Sequence, residues 1–471
     1  MKNKPEFRLV GPLLILVLIG CQNRQQPRWD LALEGGQILD LDSGVYSQGN
    51  IYIKDGIIDS ISSERLPADR VIDATGKFIL PGFWDNHVHF RGGDSLIQEN
   101  KDYLRWFLIN GITSVRDAGG DLGLEVIGWR DSINSGLLDG PTIYTAGPKL
   151  DGPNATWAGS LVVDSDPSVS KALDSLQSLK VDFVKLYDSR ISREAYLWSL
   201  QEAENRGYIS SGHMPFTVNL DEAVAAGQDA IEHLYYVLKG CSAEEDQITE
   251  QVQLGELGFW GSMDQLMATY SEDQMKMTAR MLIDNNTVVV PTLYIGQTLS
   301  YLDETDHSQD AWLKLVSPKM QATYQGRIDR SLNSSEEARE ERKQLDKVFR
   351  QLTARLNEEG VTLLSGSDSG AYNSYVYPGT SLHGELRAMV DVGLEPIAAL
   401  RTSASNGARF MRVNDQVGSI QEGMVADLVI LTADPLEDIS NSRKLDKVIK
   451  VGQVFDPAQM AKEIGCESCL D

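Results

Sequence analysis

The chain is short of histidine, cysteine and positive charge, and each shortage narrows what it can be. There are only six histidines in 471 residues, so any clustering among them asks for a reason. Lys and Arg number 43 against 68 Asp and Glu, a formal charge of −25, and they form no basic stripe. That removes the electrostatic footprint of a nucleic-acid binder. A Gly-x-Ser-x-Gly elbow and a P-loop are also missing, so neither a serine nucleophile on a strand-to-helix turn nor a phosphate cradle is encoded. No repeat or low-complexity tract stands out. What is there, 42% hydrophobic and 24% charged residues, is the balance of a water-soluble globular body long enough for one large and one smaller domain.

The N-terminus reads differently. Lys2, Lys4 and Arg8 precede an apolar stretch from Leu9 to Ile19, too short to span a bilayer comfortably but suited to the h-region of a secretory signal. The residues Leu18-Ile19-Gly20-Cys21 resemble the bacterial lipobox, in which the chain is cut before a Cys that then receives lipid. This implies a signal peptide at 1–20, lipidation of Cys21, a tether at 21–27 and an exported protein whose membrane contact is its lipid anchor. Gln22 resembles the pattern that sorts such proteins to the outer membrane, facing the periplasm. A short membrane anchor or a fortuitous Cys are the alternatives. Of the other cysteines, Cys466 and Cys469 in "CESC" can close a small disulfide in an exported chain.

Residues 28–77 contain short β-rich runs broken by Gly, Asp and Ser, with the Asp-Gly signal of a tight hairpin at Asp55-Gly56. From residue 78 the rhythm becomes strand, loop, helix, repeated. "FILPGFWDNHVHF", "GITSVRDAGG", "GPTIYTAGPKL", "VDFVKLYDS", "YISSGHM", "DAIEHLYY", "NTVVVPTLY" and "VTLLSGSDSG" are compact apolar runs ending in polar or Gly-rich loops, as buried parallel strands do. Helical stretches lie between them: Tyr103, Leu104, Phe107 and Leu108 share a face, Ser192 to Gly207 carries an N-cap and a terminal Gly, and Asn219 with Glu222 forms a capping box. The pattern predicts an α/β fold, a TIM (β/α)8 barrel over 78–414. Residues 28–77 and 415–457 are expected to join as one small β-sandwich domain built from both chain ends, with a tail at 458–471. Two stretches, 241–286 and 297–360, look like added helices, either a lid or plain periphery.

In such a barrel reactive groups sit at the C-terminal ends of strands. His87 and His89 are there, and residues i and i+2 of an extended segment face one side, so both can reach one metal ion. His213 ends "YISSGH", His233 ends "DAIEH" and Asp368 ends "LLSGSDSG", each where an apolar run turns polar. Lys185 lies inside an apolar run, which is costly unless the amine is paired or neutral. A neutral Lys can take up carbon dioxide and become an anionic carbamate ligand. The alternative is an ion pair with Asp182 or Asp188.

On these residues the chain resembles the amidohydrolase superfamily, of the imidazolonepropionase-like and prolidase-like subgroup. The likeness rests on "PGFWDNHVHF", "VKLY", His213, His233 and Asp368, with "VIDATGKFILPGF" before the site and "GSIQEGMVADLVILTADP" after it. It implies two divalent metal ions, most often Zn2+, with His87, His89 and Asp368 on one, His213 and His233 on the other, and carbamylated Lys185 bridging. It implies a small-molecule substrate with an amide-type bond (N-acyl, cyclic amide or dipeptide-like), hydrolysed with Asp368 as the catalytic base and then acid, and Tyr235 or Tyr236 as substrate-binding donors to the oxyanion. Prolidase-like relatives carry a Gly-Gly-His stretch after the third strand, whereas this chain has "AGPKLDGPNATWAG", which puts a dipeptidase in doubt. An esterase, lactonase or phosphotriesterase on the same centre is the first alternative, and a non-catalytic binding lipoprotein the second. A homo-oligomer is compatible with the sequence.

Overall fold

The structure is a computed structural model that describes Met1 and residues 29–470. The signal, Cys21 and the tether lie outside the described residues. Along the chain the strands are β1 (Trp29–Asp40), β2 (Val45–Lys54), β3 (Ile57–Ser62), β4 (Ala68–Asp73), β5 (Phe78–Pro81), β6 (Phe83–Val88), β7 (Ile112–Asp117), β8 (Thr142–Thr145), β9 (Leu150–Asp151), β10 (Leu161–Val162), β11 (Val184–Leu186), β12 (Ser210–Gly212), β13 (Ala230–Glu232), β14 (Val288–Val290), β15 (Leu428–Leu431), β16 (Leu445–Lys450) and β17 (Gln453–Phe455).

The two chain ends meet in one sheet of eight strands, ordered β17-β16-β15-β5-β1-β2-β3, with β4 on β1. The strands expected to form a small sandwich from both ends are joined in a single hydrogen-bonded sheet. Its apolar cluster draws Leu31, Ile51 and Ile79 from one end and Leu428, Ile430 and Ile449 from the other, so neither half encloses a core alone. The Asp55-Gly56 turn joins β2 to β3, both residues at positive φ, as a tight hairpin needs. Phe78–Pro81, expected as the start of the barrel, pairs with β1 and β15 in this sheet. The chain leaves the sheet at Gly82, where a Cβ would meet the Thr113 side chain at 2.2 Å. Buried Lys450 on β16 donates to Asp427 and to Thr142 of β8, each at 2.6 Å, and so fastens the sheet to the rest of the body.

Between the ends the strands are parallel and short, in an α/β arrangement with two sheets, β6-β7-β8 and β10-β9-β11-β12-β13-β14. Asp182 N donates to Thr145 O at 2.9 Å between them on one side. On the other, the 361–370 segment joins them through isolated parallel bridges, Val88 with Ser369 and Val289 with Leu363. This expected eighth strand is not regular because Asp368 and Gly370 take positive φ and break the extended run.

The helices form where the caps and apolar spacing direct. Ile97–Ile109 buries Tyr103, Leu104, Phe107 and Leu108 and ends before Gly111 at positive φ. Burying four such side chains contributes about 1.5–3 kcal/mol each. Ser192 Oγ accepts from Ala195 N to start Arg193–Asn205, and the Asn219–Glu222 box starts Leu220–Ala225. The added stretches are helical: Glu245–Gln253, Phe259–Ala268 and Glu272–Asp284 in the first, and Leu293–Ser300, Pro318–Leu332 and Glu336–Glu359 in and around the second. Among the described residues no helix is long and apolar enough to cross a membrane. Cys466 and Cys469 are joined in a disulfide, while Cys241 is free and buried.

Candidate metal centre

His87 and His89 leave the end of β6 on one side, their Nε2 atoms 3.2 Å apart. Asp368 is brought to them by backbone: its N–H donates to His87 O at 2.7 Å, and a left-handed φ of 54° turns the carboxylate inward. Oδ1 lies 3.2 Å from His89 Nε2 and 3.6 Å from His87 Nε2, while Oδ2 lies 3.9 Å from His233 Nε2. His233 also has a positive φ, 65°, a conformation that costs energy in a residue with a Cβ and is held here by His233 N donating to Val290 O. The His213 ring follows at the end of β12, its centroid 4.9 Å from that of His233.

Each imidazole is oriented through its other nitrogen. His87 Nδ1 donates to Glu232 Oε2 at 2.5 Å, His89 Nδ1 to Gly119 O at 2.8 Å and His213 Nδ1 to Asp188 Oδ1 at 3.0 Å. His233 Nδ1 pairs with Thr292 Oγ1 at 2.7 Å. An acceptor on Nδ1 fixes the proton there and leaves Nε2 as a lone pair. Burial pushes His89 and His233 well below the usual imidazole range and lowers His213, so these rings are neutral. Burial works against charge on Asp368 as well, while Asn373 Nδ2 donates to its Oδ1 at 2.8 Å and favours the carboxylate. Neutral imidazole nitrogens around one carboxylate are the donor set of a divalent transition metal. Among the described residues, His87, His89 and Asp368 form the group of three whose ligand atoms lie within 4.8 Å of one another.

Lys185 stands at the centre of β11, 1% exposed, and its Nζ has no hydrogen-bond partner. Burial lowers the amine to about 8, with Glu232 opposing the shift. Neither ion pair considered from the sequence exists. Asp182 accepts from Thr145 N and Arg130, and Asp188 from His213 and Tyr236.

A cavity of about 300 Å³ opens on His213, His233 and Asp368, walled by Tyr187, Tyr235, Phe259 and Phe349. Tyr236 also borders it, but its O–H donates to Asp188 Oδ2 at 2.8 Å and is engaged. The remaining histidines lie elsewhere. His383 is buried between Ser442 Oγ and Asn110 O, and His307 pairs with Asp310 and stacks on Tyr375.

Sequence reasoning missed the groups behind the ligands. Glu232 is fully buried, accepts from Arg116 Nη2 at 2.6 Å and from Ser211 Oγ, and orients His87. Burial would raise its carboxyl, yet Arg116, His87 and Lys185 hold it well below its usual range. The available signal was a charge inside an apolar run, Glu in "DAIEH" and Arg in "GITSVRD", the criterion that had picked out Lys185.

Comparison with known proteins accords with this geometry. The model of the Amidohydrolase family matches residues 78–455, and the chain belongs to that family, whose members are metal-dependent hydrolases of carbon–nitrogen bonds. An adenine deaminase of Listeria innocua serovar 6a is 36% identical over 104 residues, 20% of this chain, and the match spans only 17% of that relative's length. The ochratoxinase of Aspergillus niger is 22% identical over 89% of this chain and 85% of its own. Among solved structures, a Xaa-Pro dipeptidase with methionine in its active site superposes with a TM-score of 0.67 at 22% identity, covering 90% of this chain and 99% of that one. That likeness shows the fold.

Proposed function

We propose that the chain hydrolyses an amide-type bond of a small molecule, N-acyl, cyclic amide or dipeptide-like, at a binuclear metal centre on the rim of a (β/α)8 barrel. Two bridges through the 361–370 segment support the barrel reading, since they link the two parallel sheets on their open side. The observation that carries the function is the set of histidines with Nδ1 engaged and Nε2 turned inward, beside a carboxylate and an orphaned buried lysine.

His87, His89 and Asp368 would hold one divalent cation and His213 and His233 the second, with zinc suited to the nitrogen-rich set. Bound there, the cations lower the pKa of a water to near neutrality and polarise the scissile carbonyl. Lys185 would supply an anionic ligand to the cations: its neutral amine would add to carbon dioxide, forming an N–C bond and losing one N–H proton to solvent. Asp368, charged at neutral pH, takes the proton of the attacking water and hands it to the leaving nitrogen. Tyr235, whose hydroxyl makes no hydrogen bond among the described residues, is the donor available to the developing oxyanion. We also propose, from the lipobox-like Leu18-Ile19-Gly20-Cys21, that the enzyme is an exported lipoprotein anchored through Cys21, which loss of membrane association in Cys21→Ser tests.

Metal analysis of the purified protein is the direct test. Two equivalents per chain are expected, with loss of metal in Lys185→Ala and slower metal uptake in buffer freed of carbon dioxide, restored by bicarbonate. A metal-free protein that takes up no added zinc sinks the reading. Screening dipeptides, N-acyl amino acids, lactones and phosphotriesters then separates the chemistries, and turnover of phosphotriesters alone overturns the amide assignment.

A further inference from the structure

The cavity beside the candidate metal centre carries a cation without a hydrogen-bond or ion-pair partner among the described residues. Arg327, half-buried on the helix Pro318–Leu332, lines it together with Asp368, His213 and His233. It forms no hydrogen bond and no ion pair among the described residues, in a chain where acids outnumber bases by 68 to 43. Arginines on this protein's surface are otherwise commonly paired, as Arg105 is with Glu463 and Arg355 with Glu272. One more cation, Arg91, and the amine of Lys149, which burial holds well below its usual range, stand behind the same wall. Arg91 lies 4.4 Å over the Trp157 ring, and the Lys149 Nζ, unpartnered and buried, sits 5.1 Å from the Trp157 and Tyr187 rings. Asp188 and Asp368 line the first cavity, and Glu341 and Asp346 the adjoining space, but none of them pairs with Arg327 among the described residues.

Beyond Arg327 the cavity continues. A second space of about 580 Å³ shares Arg327, Tyr235, Leu299 and Phe349 with the first and is closed by Trp260 and Leu345. Its apolar walls come from the helices of the two added stretches, so these helices shape what enters.

We propose that the substrate is an amide bearing a carboxylate, which pairs with Arg327, and a large apolar group, which fills the second cavity: an N-acylated aromatic or long aliphatic amino acid. This rests on the hydrolase reading above for the position of the scissile bond, but not for the anion site itself. A carboxylate suits the site because the guanidinium fork offers two parallel donors to its two oxygens. The apolar group suits the second cavity because aromatic rings there would otherwise face water.

The test compares N-benzoyl-phenylalanine with its carboxamide, in which only the charge is removed. Binding to the metal-loaded protein is read by rapid-mixing Trp fluorescence before turnover, and cleavage is followed separately. The free acid is expected to bind about 30-fold more tightly, the worth of a charge-assisted pair. Arg327→Met should bring that ratio close to one and Arg327→Lys should keep part of it, while Phe349→Ala should weaken both ligands alike. If Arg327→Met does not fold, Arg327→Gln serves for the same ratio. Equal binding of the two ligands by the wild type, a preference kept without Arg327, or no binding of either overturns the proposal. Preferential binding of the acid without cleavage of any amide leaves the anion site standing and removes the hydrolase reading instead.

Discussion

His87 and Glu232 share a hydrogen bond of 2.5 Å with both side chains wholly sealed from solvent. The histidine is on β6 and the glutamate on β13, so this contact spans the interior and sets the ring that faces Asp368. Glu232 in turn is held by buried Arg116, which also donates to Asn86 O at 2.6 Å beside His87. One ligand of the centre is thus oriented by a buried ion pair, which stays in place only while all its members are present.

Replacing Glu232 separates orientation from stability. Glu232→Gln keeps the shape but removes the charge that fixes the His87 tautomer, and metal affinity should fall about 10- to 100-fold while the fold survives. Glu232→Ala leaves Arg116 buried and unpaired and should cost about 3–5 kcal/mol of stability. Chelator competition and urea unfolding measure the two effects. Unchanged metal affinity in Glu232→Gln would mean that His87 needs no orienting partner.

The buried pair Lys450–Asp427 makes a second stability test, remote from the centre. Lys450→Met strands Asp427 without its cation and should destabilise the protein by about 3–5 kcal/mol. The double variant Lys450→Met, Asp427→Asn should recover much of that, because the uncompensated charge is then gone. Urea midpoints of the single and double variants decide it, and additive losses would show that the pair is not coupled.

Much of this was legible in the sequence because the signals are local. The runs around β7, β8 and β11 to β14 each became a parallel strand, and the caps at Ser192 and Asn219 start helices where expected. Asp368 was found because small residues flank a carboxylate at the end of an apolar run. What stayed hidden depends on contacts distant in sequence. The Glu232–His87 bond spans 145 residues and the Arg116–Glu232 bond 116. Periodicity reports which face is buried but not which residue lies across from it. That the two ends are joined strand to strand in one sheet was not readable for the same reason, since alternation along β1 is the same in one sheet or two. Arg327 gave no signal at all, because an Arg on a polar helix reads as a solvated face.

Stability should depend on pH through Glu385. Burial lifts its carboxyl to about 8 from an ordinary 4.5, despite accepted hydrogen bonds from Tyr294 N and Leu293 N. Between those values the folded protein holds a proton that the unfolded chain has released. The contribution is therefore fully present below about 4.5 and is lost as pH rises through about 8, at no more than about 1.4 kcal/mol per pH unit. Glu385→Gln cannot ionise, so its urea midpoint should fall less steeply than that of the wild type between pH 5 and pH 8, a window taken from that shift. Parallel slopes in the two proteins would assign the pH dependence to other groups.

Tyr235 and Tyr236 are neighbours in sequence with different hydroxyl environments, and their Phe variants should fail differently. Tyr236 donates to Asp188, which accepts from His213, so Tyr236→Phe loosens a histidine proposed to hold metal. Metal affinity should fall about tenfold, with kcat restored at saturating zinc. Tyr235 packs its ring edge-on against Phe349 at 5.0 Å between centroids and lines the cavity, and its hydroxyl makes no hydrogen bond among the described residues. Tyr235→Phe should therefore leave metal content and KM nearly unchanged while lowering kcat about 100-fold, the loss expected when one oxyanion donor is removed. Metal titrations alongside steady-state kinetics on a cleaved amide distinguish the two. If Tyr235→Phe instead raises KM with kcat intact, its hydroxyl binds the ground-state substrate, and the oxyanion must be met by the cations alone.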